Sequence, residues 1–199
     1  MKFVLASKNP HKLVELQRIL GELGVEVVLE SDVGVDLEVE ETGTTFEENA
    51  RLKAQAVMEA TGLPAVADDS GLCVDVLNGA PGVYSARYGG EGLDDAGRYR
   101  LLLQAMLGQT DRRAKFVSCV CCAFPGGGEV MALGECRGTL AFAPQGENGF
   151  GYDPIFFVPE LRKTFAQLTP EEKNAISHRG AALREFKVKL EEYLRGLDQ

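Results

Sequence analysis

The chain has 199 residues, 45% of them hydrophobic and 26% charged, with a formal net charge of −9. That size fits one domain or one compact two-lobed unit with a real core, and the composition excludes disordered and collagen-like chains. The negative balance repels a nucleic-acid polymer or an anionic membrane surface, so a polyanionic ligand must be small and held by a local cluster of cations.

Residues 2–6 read as a short buried strand that ends at a polar cluster. Asn9 is a good helix N-cap with Pro10 at the first helical position. Leu13, Leu16, Leu20 and Leu23 give the stripe of the helix that follows, and Gly24 stops it. A second strand fits 25–30. After a polar stretch, Thr45-x-x-Glu48 forms a capping box for a helix running to about Gly62. Val66-Ala67 then leads into Asp68-Asp69-Ser70-Gly71, placing the two carboxylates at a strand end, and Leu72 to Leu77 reads as another strand. A third helix covers 95–107. Segments 115–124 and 129–137 are β-rich and joined through Gly126-Gly127-Gly128, a hairpin signal. Gln145 to Gly151 is a Gly-punctuated loop, and Ile155 to Val158 a short strand. Thr169-Pro170-Glu171-Glu172 starts a helix, and Ser177 caps another that reaches about Leu194. Intermingled strands and helices with one hairpin predict an α/β fold with a mixed sheet.

Five cysteines occur, three of them in Cys119-x-Cys121-Cys122, which lacks zinc-site spacing in a chain with two histidines. They read as small buried hydrophobes in a reducing compartment. The apolar residues after Lys2 are too few for a signal-peptide core, and no run reaches membrane-spanning length, so a cytoplasmic protein with no membrane association is expected.

Candidate chemistry is spread along the chain. Ser7-Lys8-Asn9-Pro10-His11-Lys12 enters a helix, where free backbone N–H groups and the positive dipole end suit phosphate. It is no Walker A loop, and N-capped helices with a nearby lysine are common. Lys53 falls on the apolar stripe of Phe46, Ala50 and Val57, so it must snorkel, the commoner outcome, or meet an anion. Asp68-Asp69, with Glu40 and Glu41, supplies oxygen ligands for a hard cation, although a lone Asp-Asp in so acidic a chain is ordinarily a solvated turn. Gly146 to Asp153 combines flexible backbone, two aromatics and a carboxylate, which serves base stacking or a loop pinned by packing equally well. Lys173 and Ser177-His178-Arg179 make a donor-rich cluster or a plain cationic surface.

Taken together and in order, these segments resemble the inosine triphosphatase family, known in bacteria as dITP/XTP pyrophosphatase. The matching stretches are Ala6 to Lys12, Glu40-Glu41-Thr42-Gly43 with Phe46-x-x-Asn49-Ala50-x-x-Lys53-Ala54, and Ala67 to Leu72. They continue with Gly79 to Tyr88, Gly149 to Phe156 and Lys173-Asn174-x-Ile176-Ser177-His178-Arg179-Gly180, so the likeness runs from residue 6 to 180. It implies an elongated mixed β-sheet with flanking helices, one domain over 1–199 with two lobes and an active-site cleft between them, and a homodimer. It further implies that Ser7, Lys8, Asn9, Pro10, His11, Lys12, Lys53 and Lys173 contact the triphosphate. Glu40 and Asp69 match the metal-binding acids, Asp69 also the proton acceptor, and Ser70 follows it in the substrate-binding segment. Phe150, Gly151 and Tyr152 match the segment around the base, while Asp153, Ser177, His178 and Arg179 match groups that read its edge. Lys8 stands where some members have Gly, and Tyr152 where some have Trp.

The activity so implied is Mg²⁺-dependent hydrolysis of deaminated purine triphosphates (ITP, dITP, XTP, dXTP) to the monophosphate and pyrophosphate, which cleanses the nucleotide pool and keeps these bases out of DNA and RNA. Water would attack the α-phosphorus, Asp69 taking its proton directly or through the metal. A Maf-like pyrophosphatase of related fold is the alternative, and should lack the pairing of Gly149–Asp153 with Ser177–Arg179. A non-catalytic nucleotide sensor does not need the full set of acids and lysines, and a Nudix hydrolase needs an R-E-x-x-E-E helix that is absent.

Overall fold

A computed structural model describes residues 1–197; the side chain of His11, one of the expected triphosphate contacts, lies outside the described part. In chain order the elements are β1 (Lys2–Leu5), α1 (Pro10–Leu20), β2 (Glu26–Leu29), α2 (Phe46–Thr61), β3 (Ala65–Val74) and α3 (Asp95–Ala105). They continue with β4 (Arg113–Phe124), β5 (Gly128–Leu140), β6 (Phe156–Val158), β7 (Lys163–Thr164), α4 (Pro170–Ile176) and α5 (His178–Leu197). The sheet is mixed, with strand order β2-β1-β3-β4-β5-β6-β7. β1 runs parallel to β2 and to β3, in register Leu5↔Leu29 and Leu5↔Val66. β5 and β6 are antiparallel, as are β6 and β7. Among the described residues no helix is long and apolar enough to cross a membrane.

Two compact units divide the chain. The first comprises Met1–Asp69, Ser118–Gly134 and the described residues from Ala181 on; the second comprises Ser70–Val117 and Glu135–Gly180. Each has its own core. In unit 1, Phe3 and Leu5 of β1, Leu16 and Leu20 of α1, and Leu183, Phe186 and Leu190 of α5 are at most 2% exposed. In unit 2, Leu72, Leu102, Ile155, Phe156 and Phe165 are fully buried, and Phe116 sits among Phe156 and Phe165 at centroid distances of 4.6 and 5.6 Å. Each such side chain contributes roughly 1.5–3 kcal/mol by leaving water. Either unit therefore supplies a rigid base for polar residues at its surface.

Local signals set most boundaries. Thr45 Oγ1 accepts the Glu48 N–H and Glu48 answers at the Thr45 N–H, so α2 starts at Phe46, and Gly62 at φ 67° ends it. The same reciprocal box, Thr169 with Glu172, starts α4 at Pro170. α1 stops at Leu20, and a 3-10 turn over 21–23 precedes Gly24 at φ 71°. The hairpin strands extend beyond the apolar runs, to 113–124 and 128–140. Cys119, Cys121 and Cys122 lie fully buried in β4, and burial pushes the Cys119 and Cys121 thiols up to about 12.

One expectation is corrected. Asp68-Asp69-Ser70-Gly71 does not end a strand: β3 passes straight through it as ten residues, and 75–77 is a 3-10 turn rather than strand. Both aspartates are buried mid-strand. A charged pair is tolerable there because ammonium groups of the same unit meet it, compensation that a local reading cannot see.

Candidate active site

Unit 1 carries the first cluster. β1 ends at Leu5, and the Ser7 N–H turns back onto the Leu5 carbonyl (2.9 Å) while Ser7 Oγ accepts the Asn9 N–H (3.1 Å). Pro10 then opens α1, where its missing N–H is no loss because the first helical N–H groups have no intrahelical acceptor. Lys12, one turn in, places Nζ 2.8 and 3.0 Å from the two carboxylate oxygens of Asp68. Lys8 stands at the solvent edge of the same turn and pairs with Asp36, which raises its ammonium pKa above the ordinary value.

Lys53 is the hub of this unit. The capping box fixes the register of α2, so Phe46, Ala50, Ala54 and Val57 go into the core and Lys53 follows on the same stripe. It does not snorkel. Its Nζ donates to Glu41 Oε1 (2.6 Å) and to the Asp68 carbonyl (2.8 Å), and lies 3.7 Å from Asp69 Oδ1. The Lys53 side chain is 18% exposed and that of Asp69 10%, so this is a semi-dry polar site. The acidic segment is held over α2 by Gly43, whose N–H reaches Asn49 Oδ1 (2.8 Å); a β-carbon at 43 would meet Asn49 Oδ1 at 2.6 Å and Glu48 Cβ at 2.7 Å. That close approach brings Glu41 to Lys53. Glu40, next in the chain, is exposed.

The oxygen groups gathered at Lys53, the Glu41 and Asp69 carboxylates and the Asp68 carbonyl, are the donors a hard cation needs. Among the described residues no three His, Cys, Asp or Glu side chains gather into a cage. One or two carboxylates completed by substrate phosphates is the pattern of Mg²⁺, so the residues fit that ion.

Unit 2 carries the second cluster, built on the 145–153 loop. Asp153 is 3% exposed, and its Oδ2 takes Lys173 Nζ at 2.5 Å and the Phe150 N–H at 3.0 Å. Burial pushes the Asp153 carboxyl pKa up, and the Lys173 ammonium opposes that shift. Gly149, at φ 75°, has no room for a side chain, since its β-carbon would run into Asp153 Oδ2. The next N–H, of Gly151, donates to Asp95 Oδ2 of α3 at 2.7 Å. Two carboxylates thus clamp consecutive backbone amides, and the Phe150 ring is left 76% exposed with Lys173 Nζ 4.7 Å from its centroid.

The remaining expected residues of unit 2 differ in burial and in partners. Tyr152 is buried, its hydroxyl donating to the Ser85 carbonyl at 2.7 Å, so its ring belongs to the core beneath the loop. Ser177 is buried and its Oγ accepts the Gly180 N–H (3.1 Å) at the start of α5. The His178 ring lies flat against Phe116, centroids 4.7 Å apart and planes 13° apart. Ser70 and Arg179 are half-buried. Sequence reasoning assigned no role to Asp95 or Ser85, and Glu41 had none beyond a shared acidic segment. Asp95 had one readable signal, an acid in the first turn of a helix capped by Asp94, but nothing local linked it to residue 151.

A mixed sheet with lysines matched to carboxylates at a helix entrance and on a buried strand in one unit, and an exposed ring on a clamped loop in the other, defines the class as an α/β protein. More specifically, the chain belongs to the Ham1 family, whose model matches residues 3–189. It is 51% identical over 193 residues to a dITP/XTP pyrophosphatase of Haemophilus influenzae, covering 95% of this chain and 98% of that one. Its structure is similar to a HAM1 protein of Coxiella burnetii, with TM-score 0.92 and 44% identity over 96% of this chain and 99% of the other. It is also similar to a nucleoside-triphosphatase / dITP/XTP pyrophosphatase of Mycobacterium abscessus, with TM-score 0.82 and 51% identity over 93% and 98%.

Proposed function

We propose that this chain is a dITP/XTP pyrophosphatase that hydrolyses deaminated purine nucleoside triphosphates to the monophosphate and pyrophosphate and so cleanses the nucleotide pool. The observation that carries the reading is Lys53, a lysine on a core-facing helical stripe that meets Glu41, the Asp68 carbonyl and Asp69, in a chain matching such enzymes over nearly its full length. Unit 1 handles the phosphates. Asp69 accepts the proton of the water that attacks the α-phosphorus; the bond from that phosphorus to the bridging oxygen breaks, and pyrophosphate leaves. Lys12 and Lys53, with the amides at the entrance to α1, stabilise charge on the transferred and leaving phosphates. Mg²⁺ held by Glu40 and Asp69 supplies, when bound, further neutralisation of the phosphate oxygens.

Unit 2 handles the base. Phe150 offers an exposed ring for stacking, and His178 and Arg179 donate to the keto oxygen at C6. Asp153 acts on the base through the loop it holds, since its Oδ2 is engaged by Lys173 and the Phe150 amide. Adenine presents an amino group where these donors need an acceptor, a mismatch that polar sites reject by factors on the order of 10⁴. Five free cysteines suit the reducing cytoplasm, and the family resemblance supports assembly as a homodimer.

A panel of ITP, XTP, GTP and ATP, with and without Mg²⁺ and with products identified, tests the reading. ITP and XTP should give monophosphate and pyrophosphate only with Mg²⁺, and ATP should be a poor substrate. Comparable kcat/KM for ATP and ITP, or release of diphosphate and inorganic phosphate, sinks it.

A further inference from the structure

Four lysines assigned to the triphosphate already stand against carboxylates of their own unit. Lys12 meets Asp68, Lys53 meets Glu41 with Asp69 nearby, Lys173 meets Asp153, and Lys8 meets Asp36. The first three lysine side chains are 32, 18 and 17% exposed, and Asp68 and Asp153 are 7 and 4% exposed. Breaking those pairs leaves a charge stranded out of water, so they persist and share a ligand rather than release it. Lys8 and Asp36 are 58 and 78% exposed. Solvent and salt screen such a pair, and it exchanges readily for a stronger anion. Lys8 also belongs to the turn that leads into α1.

We propose that Asp36 is a positioning residue for Lys8. It holds the ammonium aside in the free protein and yields it when a triphosphate reaches the entrance to α1, so the carboxylate opposes uptake of the polyanion. This rests on the reading that the Ser7–Lys12 turn takes the phosphates. Two further features favour it. Lys8 and Asp36 line one cavity together with Glu30, and after Asp36 the acids acting on Lys8 are Glu38 and then Glu30, whose own carboxyl pKa burial pushes up. Gly34, at φ 75°, lets the chain double back after the 3-10 turn over Glu30–Val33, which presents Asp36 to the phosphate turn.

The test is a double-mutant cycle with Asp36→Asn and Lys8→Gly, read by calorimetric binding of inorganic tripolyphosphate and by KM and kcat for ITP. Asp36→Asn should tighten tripolyphosphate binding and lower KM by about two- to five-fold at low salt, with kcat unchanged, and the gain should shrink as salt rises. In the Lys8→Gly background the same substitution should do nothing. Unchanged or weaker binding in Asp36→Asn overturns the proposal. So does an equal gain in the Lys8→Gly background, which would trace to net charge alone. Tripolyphosphate binding needs no turnover, so a protein that follows the cycle yet leaves ITP intact contradicts the assigned activity and not the role of Asp36.

Discussion

The two units hold their polar residues by different means. In unit 1 the most buried charged groups stand on regular elements: Asp68 and Asp69 lie mid-strand in β3 and Lys53 mid-helix in α2, so their backbones are fixed by the sheet and helix ladders. In unit 2 the exposed ring stands on a loop outside the sheet and helix ladders, where side chains hold the two amides at the ring, Asp153 at Phe150 and Asp95 at Gly151. The difference matches the tasks we assign. Phosphoryl chemistry needs charges held within fractions of an ångström, whereas a flat base can be read by a loop whose details change without disturbing the sheet.

If the comparison is right, damage to unit 1 should fall on turnover and damage to unit 2 on discrimination. The largest effect should come from Asp69→Asn, which keeps the shape but removes the proton acceptor. Turnover should drop by roughly 10²–10⁴ while the melting temperature moves little. Near-wild-type kcat at saturating Mg²⁺ would remove Asp69 from the chemistry. Next in size, Lys53→Ala should lower kcat/KM for ITP by a factor of about 10–100, the equivalent of one charge-assisted contact at about 1.5–3 kcal/mol. Binding of IMP, which lacks the two outer phosphates, should change far less; equal losses for both ligands would mean that Lys53 only supports the fold.

A smaller effect is expected in unit 2. Asp95→Ala frees the Gly151 amide while leaving the Asp153–Lys173 pair in place, at a cost of about 0.5–1.5 kcal/mol for the hydrogen bond lost. The ratio of kcat/KM for ITP over GTP should fall by a few-fold, with kcat for ITP nearly kept. A loss of kcat with an unaltered ratio would break the division of labour between the units.

Much of this was legible because it is local. Capping boxes at Thr45 and Thr169, glycine stops at 24 and 62 and the apolar stripes are read within a few residues, and each is seen in the structure. They suffice for an α/β fold with a mixed sheet and for a lysine at position 53 that must snorkel or find an anion.

What the sequence could not decide is which anion Lys53 finds, or whether Asp68-Asp69-Ser70-Gly71 breaks β3. By composition that tetrapeptide is a turn. It stays extended because Lys12 and Lys53, 56 and 15 residues away, meet Asp68. Likewise Asp95 and Gly151, 56 residues apart, are joined only once the chain is folded. Side-chain period and capping are properties of short segments and survive in the sequence. The neutralisation of a buried charge depends on which distant groups share its low-dielectric surroundings, and that only the tertiary structure decides.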